Sequence, residues 1–584
     1  MLSKVKKIKE ISSNKTKKYF FFLIIMMLLA MIFEMIGLSL IFPLIKQITS
    51  SEPNFILIQL HNLNLISSQI LNSSPFKLTL FTSLIIFIAY ATKAIISSLL
   101  EWHKAKFLYK LQEEISLKLF FSYIKSDYKR HLKENSSNLV RNIVTENQQF
   151  ADNAIYPLLI FLTDLLVIIG ILLILIIFEP IIVISCLISI LVISYVYLKF
   201  TRKKNIKYGE LRQKYEGLKI KFFNEGIGAV KELKILGSEK GFFSNFNRQN
   251  EGITHVGTRQ SFIQVFPQIG LEFIAISGIV AVLLVISSRN LNLTEIIPLM
   301  GVIVAAIFRL IPAFYRMINC YVRIRFAAPV VDLMHSEILY KNEKNNTNQK
   351  DRFEFKDILS LKNINYSYYN SKYIFKDFNL DIPLNKWVAV KGETGSGKST
   401  LIDIILGLLK TESGNILLNK KEVYIYENQN WLNNFSYVPQ NIFLIDGTIK
   451  DNIIFDFDNS NFDKNKLNLS IEVSQLKEFI NTLDLGLETI VGERGIKLSG
   501  GQKQRIGIAR AIYNIKEIMI MDEATNALDE VTEKKLLKAL KLNFYENSFI
   551  FISHRKETID FCDHKIEIFK KGIGSEAIVR GISN

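Results

Sequence analysis

The sequence has very few cysteines and too few acidic residues to balance its basic ones. Cys186, Cys320 and Cys562 are far apart and lack metal-ligand spacing, which excludes a disulfide framework and a zinc site. Asp and Glu total 55 against 72 Lys and Arg, a formal net charge of +17. A basic balance indicates nucleic acid or a membrane surface as a partner. Because the basic excess lies between long apolar runs, we favour the membrane.

Long apolar runs are concentrated in the first half of the chain. The first run is too long for a signal peptide and no small-residue cleavage site follows it, so no cleaved leader is expected. Six runs have about the 20 residues that a helix needs to cross a bilayer core. Six in one chain favour membrane spans over buried helices of a soluble protein. They cover residues 19–45, 78–100, 155–178, 181–200, 262–286 and 296–319.

Basic residues predict which side of the membrane each connection faces. Residues 1–18 contain seven lysines, and the connections 101–154 and 201–260 contain nine and thirteen Lys and Arg. The intervening connections are poor in positive charge, so we expect both termini and the two long connections in the cytoplasm. Residues 136–146 and 226–235 are candidates for short transverse helices that contact a soluble domain, and solvated helices are the alternative.

The connection between the first two spans, residues 47–77, has apolar residues at helical spacing among polar ones. It is predicted either as an amphipathic helix in the outer interface or as a disordered loop.

Ionisable residues occur inside the predicted spans, where a charge usually faces a cavity or a partner. Arg309 and Arg316 are seven residues apart and share one helix face. One interpretation is a cavity stripe that holds an anionic headgroup. The alternative is ion pairing between helices, for example of Glu34 or Glu272 with Arg309, while Arg316 snorkels to the interface. The whole set is Glu34, Lys93, Asp164, Glu272, Arg309 and Arg316.

The second half of the chain begins after a polar stretch at residues 340–351. From Phe353 onward, short β-like runs alternate with helical runs, which indicates an α/β sheet domain. The predicted organisation is therefore a transmembrane domain at 1–335, a linker at 336–352 and a nucleotide-binding domain at 353–584.

A glycine-rich phosphate loop follows a short apolar strand and precedes a helical segment, the setting that the G-x-x-x-x-G-K-[ST] motif requires. Its glycines let backbone amides close around phosphate oxygens, and the helix N-terminus adds positive charge. We expect Lys398 to reach the β- and γ-phosphates of ATP and the Ser399 hydroxyl to hold Mg²⁺. The predicted ATP-binding residues of the loop are Gly392, Glu393, Thr394, Gly395, Ser396, Gly397, Lys398, Ser399 and Thr400.

Further polar residues follow other predicted strands of this domain. Asp522 is placed for Mg²⁺ through water, and Glu523 to polarise the water that attacks the γ-phosphate. His554 is expected to contact the γ-phosphate, although a lone histidine is usually structural. Gln440 can reach Mg²⁺ or the attacking water. Tyr368 is chosen to stack on adenine, and Tyr366 or Tyr369 as strand packing is the alternative.

A second helix begins at the segment Ser499-Gly500-Gly501-Gln502 and offers another anion-binding N-terminus. Two separate phosphate-binding helix starts suggest a nucleotide held between two copies of the domain.

These residues resemble the motifs of ATP-binding cassette (ABC) exporter half-transporters. The resemblance implies that ATP lies between the phosphate loop of one subunit and the signature of the other, in a homodimer with two working sites. Asn526 stands where serine is more usual. Residues 489–493 are similar to the exporter X-loop. The matching positions are Gly392–Thr400 (Walker A), Gln440 (Q-loop), Ser499–Gln502 (signature), Asp522 (Walker B), Glu523 (catalytic base), Asp529 (D-loop) and His554 (H-loop).

Within this family the chain is most similar to the lipid-linked oligosaccharide flippases of bacterial N-glycosylation. The likeness rests on residues 33–43 and on Arg309-Leu310-Ile311-Pro312 followed by Arg316. It implies that arginines of the cavity hold the lipid pyrophosphate. A third such arginine is replaced by Gln268. The predicted substrate-cavity residues are Arg309, Arg316, Glu34 and Gln268.

The predicted fold class is a membrane α-helical domain with six spans followed by an α/β P-loop nucleotide-binding domain. The predicted function is ATP-driven export or flipping of an amphipathic substrate across the bacterial inner membrane, with a lipid-linked oligosaccharide preferred. Peptide or hydrophobic-drug export is the alternative within transport, and an ATP-gated channel or regulator is the alternative of another class. The expected partners are a second copy of the chain, the bilayer and the saccharide lipid. The spans exclude a soluble ATPase acting on nucleic acid.

Overall fold

The computed structural model describes residues 2–49, 55–62, 74–178, 180–288, 293–340, 352–368, 372–456, 462–570 and 577–582. The chain forms two compact units. The first consists of Met1–Ser126 and Lys133–Lys341, and the second of Asp127–Leu132 and Asn342–Asn584.

The described residues of the first half form helices joined by short turns, and no strand occurs among them. Two short π-helical turns, Asn142–Glu146 and Ala151–Ile155, join consecutive helices. The α-helices are α1 (Leu2–Ile11), α2 (Asn14–Ser39), α3 (Ile41–Thr49), α4 (Phe55–Asn62), α5 (Pro75–Ile124), α6 (Tyr128–Lys133), α7 (Ser136–Arg141), α8 (Asn147–Phe150), α9 (Tyr156–Phe178), α10 (Pro180–Gly228), α11 (Val230–Leu236), α12 (Glu239–Ser288), α13 (Leu293–Phe326) and α14 (Ala328–Ile338).

The first predicted span runs through α2 into α3, and the other five fall on α5, α9, α10, α12 and α13. Among the described residues, the stretches long and apolar enough to cross a membrane are Asn14–Ile48, Pro75–Ile124 and Ser136–Ile176. The other three predicted spans include side chains outside the described part of the chain. Large apolar side chains point outward, as expected of helices that face lipid: Phe87 and Phe273 are 71% and 75% exposed.

The two candidate transverse helices have other forms in the structure. Residues 136–146 begin a continuous helical stretch that runs on into α9, because no glycine or proline interrupts it before Pro157. Residues 226–235 cross a break at Ala229, where α10 has ended and α11 begins. In the outer connection 47–77, α4 is helical and much of the remainder lies outside the described residues.

The second unit contains two β-sheets. One is antiparallel with the order β2-β1-β4-β5, and the other has the order β10-β9-β3-β8-β7-β6 and is parallel except at β10. The strands are β1 (Ile358–Ser367), β2 (Tyr373–Pro383), β3 (Trp387–Gly392), β4 (Ser413–Leu418), β5 (Lys421–Glu422), β6 (Phe435–Val438), β7 (Ile518–Asp522), β8 (Ser548–Ile552), β9 (His564–Lys570) and β10 (Ala577–Ile582). The helices are α15 (Lys398–Ile405), α16 (Gln429–Leu432), α17 (Ile449–Ile454), α18 (Lys464–Val473), α19 (Lys477–Asn481), α20 (Gly500–Tyr513), α21 (Glu530–Asn543) and α22 (Lys556–Phe561).

The central parallel strands are buried on both faces. Along β7, Ile518 and Ile520 pack into one apolar cluster, whereas Met519 and Met521 pack into another on the opposite side. Alternate side chains of a strand point to opposite faces, so a strand covered on both sides has an unbroken apolar sequence. This arrangement fixes the carboxyl ends of β3, β8, β7 and β6 side by side along one edge of the sheet.

Candidate ATP site and membrane cavity

The phosphate loop leaves the carboxyl end of β3 and enters α15 at Lys398. Gly397 has φ +95°, a conformation that L side chains rarely adopt, and an added Cβ would lie 2.9 Å from Ile374 Cγ2. An added Cβ at Gly392 would lie 2.6 Å from the Ile568 carbonyl oxygen. Glycine is therefore required at both positions for the loop to close over a ligand.

The side chains of this loop fit an anionic ligand. Lys398 Nζ donates to the carbonyl oxygens of Gly392 (2.6 Å) and Glu393 (3.0 Å). Burial lowers the pKa of Lys398, while the nearby Glu523 and Asp522 act in the opposite direction. Ser396 Oγ is buried and has no hydrogen-bond partner among the described residues. A phosphate would supply acceptors for both groups.

Asp522 ends β7 at the same edge of the sheet. Burial, followed by the charge of Glu523, raises the pKa of Asp522 to about 6, and Tyr437 Oη donates to its Oδ2 at 3.5 Å. Burial and Asp522 likewise raise the pKa of Asp403 to about 6. Asp522 is buried and Asp403 is half-buried. Two such carboxyls with raised pKa values beside a phosphate loop suit a divalent cation, which stabilises their charged forms. Asp403, in α15, was not predicted as a site residue.

No group of three or more His, Cys, Asp or Glu side chains that could hold a metal occurs in the described ranges. The predicted Mg²⁺ residues, Ser399, Gln440 and Asp522, supply a hydroxyl, an amide and one carboxylate. Mg²⁺ usually takes few protein ligands and completes its shell with substrate phosphates and water. These three ligand groups therefore suit a Mg²⁺ ion that binds together with the phosphates of ATP.

The Glu523 carboxylate is held by two amides. Gln440 Nε2 donates to Glu523 Oε2 at 2.6 Å, and Asn526 Nδ2 donates to the same oxygen at 2.9 Å. The backbone of Glu523 has φ +48° and its N–H donates to the Ile552 carbonyl at 2.9 Å. This left-handed conformation is uncommon for a non-glycine residue and turns the chain at the end of β7. The structure brings Gln440 and Glu523 together, while the contact from Asn526 was not predicted.

His554 lies two residues after the end of β8 and its side chain is exposed. It lines a cavity of about 260 Å³ together with Lys391 of β3 and with Lys556 and Lys565. Its contact with a γ-phosphate remains a prediction.

The signature segment caps α20. Ser499 Oγ accepts from the Gln502 N–H at 3.3 Å, and Gln502 Oε1 accepts from the Ser499 N–H at 2.8 Å, which forms a capping box. A Cβ at Gly501 would lie 2.9 Å from the Ala527 carbonyl oxygen, so the signature packs directly against the loop that follows Glu523. Asp529 caps α21 by accepting from the Thr532 N–H at 2.9 Å, which lowers the pKa of Asp529.

Tyr368 lies beside the phosphate-loop helix. Its hydroxyl is 3.3 Å from Thr400 Oγ1, and its ring stands edge-on to that of Tyr366 with centroids 5.2 Å apart. The ring is half-buried. Adenine stacking on Tyr368 remains a prediction.

A cavity of about 400 Å³ lies between helices of the first unit and is lined by Arg309, Arg316, Glu34 and Asp164. The structure combines the two interpretations offered by the sequence, since both arginines face the cavity and both are paired. Arg309 Nε lies 3.1 Å from Glu34 Oε1. Lys93 Nζ lies 2.7 Å from Glu34 Oε2, so one carboxylate serves two cations.

Arg316 does not snorkel to the interface, which the sequence left open as the alternative to a place in the cavity. Its guanidinium donates to both carboxylate oxygens of Asp164, at 2.7 and 2.9 Å, and only 6% of the Asp164 side chain is exposed. A bidentate partner within reach is preferred to a distant interface. Gln268 is not among the residues that line this cavity; its amide donates to Glu272 on the same helix at 2.9 Å.

Fold and site together define a membrane transporter with an ATP-binding cassette. An ABC transporter transmembrane region matches residues 19–306 and an ABC transporter domain matches residues 375–526. The two matches cover most of the chain, which therefore belongs to the ABC exporter class.

Individual relatives agree with this class. A putative export ATP-binding/permease protein of Rickettsia conorii is 36% identical over 220 residues, covering 37% of this chain and 38% of that protein. An ATP-dependent lipid A-core flippase of Pectobacterium atrosepticum is 35% identical over 227 residues, covering 39% of each. The matched segment thus covers less than half the length of each of these two relatives. The solved structure of a bacterial Atm1-family ABC exporter with ATP bound has the same fold, with a TM-score of 0.79, 17% identity and 96% of each chain covered.

Proposed function

We propose that two copies of this chain form an ATP-hydrolysing exporter of the bacterial inner membrane, with both termini in the cytoplasm. The observation that carries the proposal is the grouping of the phosphate loop, Asp522, Glu523 and Gln440 at one sheet edge. The Gln440–Glu523 contact of 2.6 Å joins two motifs that are 83 residues apart in sequence. An ATP-gated channel or regulator has no need of a complete hydrolytic set, so active transport is favoured.

Glu523 is the proposed base for hydrolysis. It takes a proton from water as the water oxygen bonds to the γ-phosphorus and the bond from that phosphorus to the ADP oxygen breaks. Lys398 neutralises charge that develops on the phosphates. Ser399, Gln440 and Asp522 would hold Mg²⁺, which would supply further positive charge there. Ser499 and Asp529 are assigned to the site of the partner subunit, where a capped helix N-terminus faces the nucleotide.

The proposed cargo is a lipid-linked saccharide with a phosphate-bearing head. Support comes from the arginines in the membrane cavity, from the resemblance to lipid-linked oligosaccharide flippases, and from relatives that are named lipid A-core flippases. Because Arg309 is already paired with Glu34, an anionic head has to displace a carboxylate or share its cation. Peptide or hydrophobic-drug export is the second candidate, and nothing in the cavity favours it.

The test uses purified protein reconstituted in lipid vesicles. ATP hydrolysis is measured across a panel of lipid-linked sugars, peptides and hydrophobic drugs, and translocation of the stimulating compound is then followed. E523Q should bind ATP and lose both turnover and translocation. R309A should keep basal hydrolysis and lose most translocation of a phosphate-bearing saccharide lipid. Stimulation by peptides or drugs alone would refute the cargo class, whereas hydrolysis without any transport would support the channel or regulator.

A further inference from the structure

Asn526 is a residue of the nucleotide domain to which the recognised motifs give no role. It lies three positions after Glu523, where ABC exporters more usually carry serine. Its amide donates to Glu523 Oε2, the same oxygen that accepts from Gln440. The other carboxylate oxygen, Oε1, has no donor recorded in the described part of the chain. The two amides therefore hold the carboxylate by one oxygen.

The backbone beside Asn526 is also held in place. Arg555 Nη2 donates to the Asn526 carbonyl at 2.8 Å, and Arg555 Nη1 donates to Glu533 Oε2 at 2.5 Å. Glu533 is fully buried and accepts from Thr558 Oγ1 at 2.5 Å as well. A buried carboxylate with two donors is a rigid anchor. Because Arg555 directly follows His554, this anchor ties the loop that carries Asn526 to the end of β8.

We propose that Asn526 is a positioning residue for ATP hydrolysis. Together with Gln440 it fixes Glu523 Oε2 and so leaves Oε1 directed at the attacking water. Hydrogen bonds to a charged group are stronger than those between neutral groups, so two of them restrict rotation of the carboxylate. Serine is a poor substitute, because its hydroxyl is attached directly to Cβ whereas the asparagine amide nitrogen lies one bond farther out. The proposal rests on the proposed role of Glu523 as the base.

The first test compares N526A and N526D with wild type in steady-state ATP hydrolysis by the full-length protein in lipid. We expect N526A to lower kcat about tenfold, equivalent to about 1.4 kcal/mol, with little change in KM for ATP. N526D has the same shape, cannot donate when ionised and puts a second negative charge beside Glu523. The decrease in kcat of N526D should equal or exceed that of N526A. The matched control is N543A, which removes a surface amide that donates to the Ala539 carbonyl at 2.8 Å and should change neither constant.

The second test separates positioning from a general structural role. In an E523Q background, N526A should leave the slow residual rate of single-turnover hydrolysis unchanged, because no base remains to be positioned. Full activity of N526D, or a further loss in the E523Q background, would overturn the positioning role. Normal hydrolysis by E523Q alone would overturn the assignment of the base itself, so the two failures are distinguishable.

Discussion

The two cavity arginines differ in what their removal leaves behind, and this difference predicts unequal effects on stability. Arg309 and Arg316 are on the same helix and are exposed to similar extents, 47% and 49% of their side chains. Truncating Arg309 leaves Glu34 with Lys93 at 2.7 Å. Truncating Arg316 removes the guanidinium that donates to both carboxylate oxygens of Asp164. The Asp164 side chain is only 6% exposed and then has lost its partner.

The expected magnitudes follow from these partners. Breaking a buried ion pair costs about 3–5 kcal/mol, and we take about 3 kcal/mol for R316A because Arg316 itself is half-exposed. R309A should cost less than about 1 kcal/mol, as for an exposed pair, because Glu34 keeps a cation. Thermal unfolding of the purified variants in one detergent should therefore place R316A about 5 °C below wild type and R309A within about 2 °C of it.

The double variant D164N/R316A provides the internal control. It removes the buried charge together with its partner, so it should recover most of the stability lost in R316A. Equal unfolding temperatures for R309A and R316A, or no recovery in the double variant, would show that Asp164 is not the group left uncompensated.

Two further predictions concern the ATP site. Burial raises the pKa values of Asp403 and Asp522 to about 6, above the usual 3.8. The contribution of these two protonated carboxyls to the free energy of unfolding is therefore present below about pH 4 and is lost as pH rises through about 6. Thermal unfolding of the nucleotide-free protein should show this loss of stability, and the pH dependence should be weaker in D403N. Identical stability profiles for wild type and D403N would contradict this expectation. Mg²⁺-dependent ATP binding should weaken below about pH 6. G397A should weaken ATP binding, because alanine is strained at φ +95° and its Cβ would meet Ile374 Cγ2 at 2.9 Å. G241A, where a Cβ meets nothing within 4 Å, is its matched control, and equal nucleotide affinities would contradict this reasoning.

Much of the nucleotide domain could be predicted because its chemistry lies at strand ends. Apolar runs predict β3, β7 and β8, and the polar residues shortly after each run are predicted to lie at one edge of the sheet. The sequence does not give strand order, yet parallel strands bring Lys398, Asp522 and His554 to that edge whatever their order. Asn526 was noted only as a departure from the usual serine. Its contact with Glu523 depends on a tight turn, in which the Asn526 N–H donates to the Glu523 carbonyl at 3.2 Å.

The membrane cavity was less predictable because its partners are distant in sequence. Glu34 and Arg309 lie on the first and last span helices, and no periodicity on either helix specifies the other. The partner of Asp164 could not be predicted for the same reason. Asp164 occupies a nearly continuous apolar segment, where the sequence shows a costly charge but not the helix that compensates it. Only packing of α9 against α13 reveals Arg316 as the partner.

The two sites also differ in what a ligand has to displace. At the phosphate loop, Ser396 Oγ has no partner among the described residues, and Lys398 donates to two carbonyls of its own loop. A phosphate there adds strong contacts. In the cavity, each arginine already has a carboxylate. An anionic head there gains only the difference between its contacts and those it replaces. Headgroup charge alone is then a weak basis for selecting cargo, and the saccharide and the lipid tail must supply much of the affinity of a transported substrate.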